Sequence, residues 1–117
     1  MDNQELSKWL AIHVMGWEFE YCDENIPCAR IVNKDNCSAW FEWNPTENIK
    51  QAFMIVEKME SKPFFLRLSN FCSTGEWQWK AQFCSDSRDL YFDKVANIPA
   101  LAICLAAKEA MEGGCEE

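Results

Sequence analysis

Proline and glycine are scarce in this 117-residue chain, four of each. That excludes collagen-like and low-complexity character and leaves little length for linkers. Histidine is scarcer: His13 is the only one, so the side chain most used for proton transfer near neutral pH is almost missing. No apolar run approaches the ~20 residues needed to span a bilayer, and no membrane association is expected. The opening stretch, MDNQELSKWLAIHVMGW, has neither a basic segment nor a continuous apolar one, so no secretory signal is expected. Glycine-rich phosphate loops, Walker signatures and nucleophile elbows are also missing.

Positive charge is in short supply. Eleven basic residues face 19 acidic ones, giving a formal net charge of −8. Lys8, Arg30, Lys34, Lys50, Lys58, Lys62, Arg67, Lys80, Arg88, Lys94 and Lys108 are scattered rather than clustered. A domain of this sign repels phosphate backbones over a Debye length of about 8–10 Å, so direct nucleic-acid binding is not expected. The same charge suits a basic partner, such as the nucleic-acid groove of another protein, and it also keeps a small protein in solution.

What is present is apolar and aromatic. Hydrophobic residues make up 49% of the chain and include six Trp and eight Phe, enough for one aromatic-rich core in a single domain spanning 1–117. The seven cysteines are an odd number without a secretory signal, which points to reduced thiols. Cys104, in an apolar helical run, and Cys84, ending a strand-like run, read as core thiols.

Hydrophobic periodicity orders the elements. Residues 2–15 form an amphipathic helix with Leu6, Trp9, Leu10, His13 and Val14 on one stripe, stopped by Gly16. Trp17, Phe19 and Tyr21 alternate with Glu18 and Glu20 as in a half-buried strand. After a short 29–32 run and a turn at 33–36, residues 38–43 alternate again and can pair back antiparallel. NPTENIKQAFMIVEKM starts a second helix, capped by Asn44 or Thr46, with Ile49, Ala52, Phe53, Val56 and Met59 at helical spacing; Ser61 and Pro63 end it. Residues 64–72, 77–84 and 89–93 read as three strands joined by turns at Thr74-Gly75 and 86–88. Asn97 is expected to cap a last helix with Pro99 in its first turn and Gly113-Gly114 just past its end. That helix is apolar on more than one face, so it is either buried on two sides or has residues to spare for a homo-oligomer contact. The expected class is α+β, an antiparallel sheet with helices packed against it, in the order α-β-β-α-β-β-β-α.

Chemistry is harder to find. His13 lies on the apolar stripe and reads as a core-edge residue, and no cysteine has a nucleophile context. Cys22, Cys28 and Cys37 have five and eight residues between them, unlike the tight pairs of zinc knuckles, so no metal or cofactor is expected. Asp86 and Asp89 flank a turn as solvated residues do. No catalytic residue is assigned and no enzymatic activity is expected; a thiol-dependent activity is the enzyme alternative. Aromatic surface remains. Trp40 and Trp43, with Trp77 and Trp79, put rings on two strands, and rings near Arg or Lys can stack a nucleobase or anchor a protein. The candidate binding set is Trp40, Trp43, Arg67, Trp77, Trp79, Lys80 and Arg88.

Three pieces carry a family resemblance: VMGW (14–17), PTENIKQAFMIVEKM (45–59) and PALAICLAAKEAME (99–112), with the aromatic strand 77–83 between the last two. In order and spacing the chain resembles small phage and prophage proteins with the phage ABA sandwich domain; residues 22–37 show no family pattern. The resemblance implies an α-β-α sandwich and a phage protein acting in the cytoplasm of the infected bacterium, with no established activity. By analogy of class, the expected role is a non-enzymatic inhibitor that blocks a bacterial defence protein with a basic surface, in the manner of an anti-CRISPR. A sponge for a cyclic-nucleotide immune signal, bound by Trp or Phe rings with Arg67, Lys80 and Arg88, is the alternative. A virion accessory protein is the reading from another class.

Overall fold

The computed structural model describes residues 2–22, 26–32, 36–62, 64–85 and 91–114. The expected turns at 33–36 and 86–88, the strand start at 89 and Arg88, Asp86, Asp89, Pro63 and Cys115 lie in whole or part outside the described residues.

Helix α1 (Asn3–His13) begins at Asp2, whose carboxylate accepts from the Glu5 amide at 2.8 Å. It ends where Gly16 takes φ +72°, letting the Trp17 amide donate back to the Ala11 carbonyl at 2.8 Å. The buried stripe is rotated from the expected one: Leu6, Ser7, Leu10, Ala11 and Val14 face inward. His13 is exposed and stacks on Trp9 at 4.7 Å between ring centroids, so it is a surface residue, not a core-edge one.

Strands β1 (Glu18–Cys22), β2 (Ile26–Arg30) and β3 (Phe41–Glu42) form one antiparallel sheet in that order. The 29–32 and 38–43 runs do pair back on each other, with Ala29 opposite Phe41. The order therefore has one more strand than expected before the second helix, and the strands make two three-stranded sheets instead of one.

Helix α2 (Ile49–Glu60) starts later than its sequence suggests. Asn44 accepts from the Glu47 and Asn48 amides and so forms a turn, and it is Asn48 whose side chain caps the helix, accepting from the Gln51 amide at 3.2 Å. Its buried face is Ala52, Ile55, Val56 and Met59, which leaves Ile49 and Phe53 exposed.

Strands β4 (Phe64–Ser73), β5 (Glu76–Ser85) and β6 (Tyr91–Ala96) make the second sheet. The β4–β5 hairpin turns in two residues, Thr74 at φ 51° and Gly75 at φ 81°, the left-handed pair that matches the twist of antiparallel strands. Helix α3 (Pro99–Gly114) follows, with Ile98 flanking it: the Ala102 amide donates to the Ile98 carbonyl at 3.2 Å, so Asn97 lies one residue too early to cap it. α3 packs against β5 and β6, against α2 and against α1, and Ala100, Ala102, Ile103, Cys104, Ala106, Ala107 and Ala110 are all buried. The apolar residues that looked spare for an oligomer contact are thus used inside the chain. Small alanines let neighbouring elements approach this helix from several directions.

The helix also runs through Gly113, which the sequence suggested lay beyond its end. Glycine fits this position for a steric reason: a Cβ on residue 113 would come within 2.5 Å of Phe92 Cε1. Alanine is normally favoured over glycine in a helix by roughly 0.5–1 kcal/mol. Here overpacking, worth about 1–3 kcal/mol, opposes that gain, and Phe92 is itself braced edge-on by Phe64 at 6.2 Å. Gly113→Ala is expected to lower stability in urea denaturation; a more stable variant would show that the ring yields freely.

Candidate functional site

Two sheet faces carry exposed side chains that neither packing nor capping explains. On the first sheet, Glu18 lies opposite Arg30, and Glu20 opposite Cys28, which in turn faces Glu42. Directly opposed residues share a face, so three carboxylates and one guanidinium occupy one side. Arg30 pairs with Glu18 and lies 4.8 Å from the centroid of the Trp40 ring. The Glu18 hydrogen bond raises the Arg30 pKa, and desolvation acts in the opposite direction. Arg30 is therefore paired locally, and among the described residues the face is net acidic around a half-buried Trp40. A depression of about 480 Å³ opens here, lined by Ile12, Trp17, Glu18, Glu20, Arg30 and Trp40 among others.

On the second sheet, one side is covered by α2 and α3 and carries Leu66, Leu68, Ala81, Phe83 and Phe92. The other side faces outward. Phe65, Arg67, Ser69 and Phe71 on β4 and Tyr91, Asp93 and Val95 on β6 are all exposed, flanking Lys80 and Gln82 on β5. Lys80 pairs with Asp93 at 3.4 Å. Arg67, Ser69, Lys80 and Gln82 border a shallow depression of about 250 Å³.

The fold divides the candidate set. Arg67 and Lys80 come together on the outward face of the second sheet, whereas Trp40 stands alone on the first. Trp43 is fully buried, its indole N–H donating to the Ser7 carbonyl at 2.9 Å and its ring meeting Trp17 edge-on at 5.0 Å. It is a core residue and leaves the candidate surface. Trp79 is half-buried on the helix side, packed against the core. Trp77 has the same parity but lies at the hairpin end and is 65% exposed. Glu18, Glu20 and Glu42 alternate with aromatic residues along the chain, but only the cross-strand register gathers them with one another and with Arg30.

A third cleft, about 450 Å³ and floored by Leu6 and Leu105, has its charges internally paired, Lys94 with Glu109 at 3.0 Å and Lys108 with Glu112 at 2.7 Å. Among the described residues no group of three or more His, Cys, Asp or Glu is placed to hold a metal ion, and no helix is long and apolar enough to cross a membrane.

The thiols are sharply divided. Burial pushes the Cys104 thiol far above its ordinary range, the opposite of what nucleophilic chemistry needs. Cys28 is also buried, whereas Cys37 and Cys72 are exposed, and Cys84 is half-buried with its thiol near Gln82. Mild alkylation of the folded protein is expected to modify Cys37 and Cys72 while Cys28 and Cys104 stay unmodified until denaturant is added. Early labelling of Cys104, read by peptide mass spectrometry, would contradict this arrangement.

Among the described residues, three helices on antiparallel sheets define a small α+β sandwich domain. The chain belongs to the phage ABA sandwich domain family, whose model matches residues 8–108. This is not a known enzyme family. Among solved structures, the 2.0 Å crystal structure of a phage protein from Bacillus cereus ATCC 14579 is similar, with a TM-score of 0.66 at 17% identity, covering 96% of this chain and 89% of that one. At that identity the likeness concerns the fold. No curated protein matches the chain.

Proposed function

We propose that this chain is a phage-encoded, non-enzymatic binding protein that blocks a defence protein of the infected bacterium by docking on its basic, nucleic-acid-binding surface. The observation that carries the reading is the first-sheet face, where Glu18, Glu20 and Glu42 surround Trp40 with one locally neutralised cation between them. An aromatic ring in a charged rim is a common energetic centre of protein interfaces. Negative charge of −8 over the whole chain would steer it toward a basic patch and speed association at low salt. Membership of a phage protein family supports the setting.

The test is capture of partners from the bacterial host with the tagged protein, followed by affinity measurement across a salt series. A basic, nucleic-acid-binding partner whose affinity falls steeply with salt is the expected result; recovery only of virion proteins, or salt-insensitive binding, would remove the reading. A second reading, capture of a cyclic nucleotide, has one observation in its favour, the pairing of Arg67 and Lys80 beside Ser69 and Gln82. Calorimetry against cyclic mono- and dinucleotides separates the two, since heat and a thermal shift are expected only of the nucleotide binder.

A further inference from the structure

We propose that the outward face of the second sheet is a homodimer interface, with a second copy of this chain packed face to face about a two-fold axis running along β5. The face is open and partly apolar: Phe65 is 47%, Tyr91 56% and Val95 45% exposed. Exposed apolar sheet surface of this kind is costly in water, but its apolar character alone does not select an occupant. The charge pattern does.

Strand register arranges the face in rows. Phe65, Cys84 and Tyr91 form one row, Arg67, Gln82 and Asp93 the next, and Ser69, Lys80 and Val95 the third. In each row β4 and β6 lie on either side of β5. A two-fold axis parallel to β5 keeps the row and exchanges the sides, so β4 of one copy lies over β6 of the other. Arg67 then faces Asp93 of the second copy, and Phe65 faces Tyr91 of the second copy; each contact occurs twice. A two-fold axis across the strands would instead set β4 over β4 and β6 over β6, leaving Arg67 and Asp93 without opposite charges. Only the first arrangement has the self-complementarity that a two-fold interface requires.

Among the described residues Arg67 has no ion-pair partner, while Asp93 is held by Lys80 of its own chain. In the dimer Asp93 lies between that lysine and the incoming guanidinium, and Lys80 is drawn off the axis toward β6. Aligned sheets pack about 10 Å apart at roughly −30°, an angle that long Arg and Tyr side chains can span near the centre. This contact uses a different sheet from the partner-docking face, so either can fail alone.

The test uses the full chain in sedimentation velocity. The wild type is expected to be a dimer at about 100 µM, above the micromolar Kd typical of small interfaces. Arg67→Asp or Asp93→Arg alone repels at both symmetric contacts and is expected to weaken association by roughly a hundredfold or more. An equimolar mixture of the two variants should recover a dimer, because each introduced charge then meets its opposite. Wild type that stays monomeric, a single variant that still dimerises, or a mixture that stays monomeric would each overturn the proposal. Should a charge reversal unfold the chain by circular dichroism, a second measurement stands in for it. Cys84 lies in β5 on the axis, so a variant with Cys22, Cys37, Cys72 and Cys115 changed to serine should be joined into covalent dimers by a short bis-maleimide, and failure to crosslink at the same concentration overturns the interface.

Discussion

Replacing Trp43 with alanine is expected to destabilise the protein by about 3–5 kcal/mol, the range for deleting a large buried aromatic. Trp43 is 0% exposed. It sits just after β3, donates its indole N–H to the Ser7 carbonyl at 2.9 Å and meets Trp17 and Phe41 edge-on at 5.0 and 6.3 Å. One side chain thus joins α1, the first sheet and the approach to α2. Small domains are stable by only about 5–15 kcal/mol, so the variant should lose a large share of its margin and unfold at markedly lower urea. Trp43→Phe separates the two contributions: it keeps most of the apolar volume but removes the indole donor from the Ser7 carbonyl, which keeps its helical partner, at about 0.5–1.5 kcal/mol. Urea denaturation followed by circular dichroism checks both. A loss below 1 kcal/mol for the alanine variant would mean that the first sheet is not anchored through this ring.

Trp40→Ala is expected to behave in the opposite way. Its ring is half-buried and its contact with Arg30 is at the surface, so stability should change by no more than about 1 kcal/mol. Binding to the captured partner should weaken by about thirtyfold or more, equivalent to the ~2 kcal/mol of an interface centre. Charge reversal at Glu20 and Glu42 should act mainly on the association rate and flatten its salt dependence. Surface plasmon resonance at low and high salt reads both effects. Unimpaired binding by Trp40→Ala would move the docking site off the first sheet.

These two tryptophans are three residues apart, and the alternating run 38–43 marked both as strand residues without saying which face met the core. Parity within a strand follows from the sequence; the direction of that parity follows from what the strand pairs with. Phe41 lies opposite Ala29, and the buried Ala29 sets the inward side, leaving Trp40 with Glu42 on the other. The same holds for α1 and α2, where helical spacing was visible but the stripe is turned by about one residue. Ser7, Ala11 and Ile55 face inward while His13, Ile49 and Phe53 do not. Close helix packing, not hydrophobicity alone, decides which side is covered, and it favours small side chains such as Ser7 and Ala11. Asn44 and Asn48 are both good caps in sequence; a turn at 44–48 uses the first, so α2 starts at the second.

What this sequence determines by itself is local and additive: the three helices and most of the strand order around them, the two-residue turn at Thr74-Gly75, the α+β class and the acidic charge. Each follows from nearest neighbours along the chain, through backbone propensity, side-chain period and composition. The tertiary structure alone decided that the strands form two sheets, that α3 is enclosed by its own chain, that Trp43 is core and Trp40 surface, and that Glu18, Glu20 and Glu42 meet on one face while Arg67 and Asp93 share a row on another. Those features depend on register and packing between segments far apart in the chain, and one residue's slip in a strand would exchange every inward side chain for an outward one.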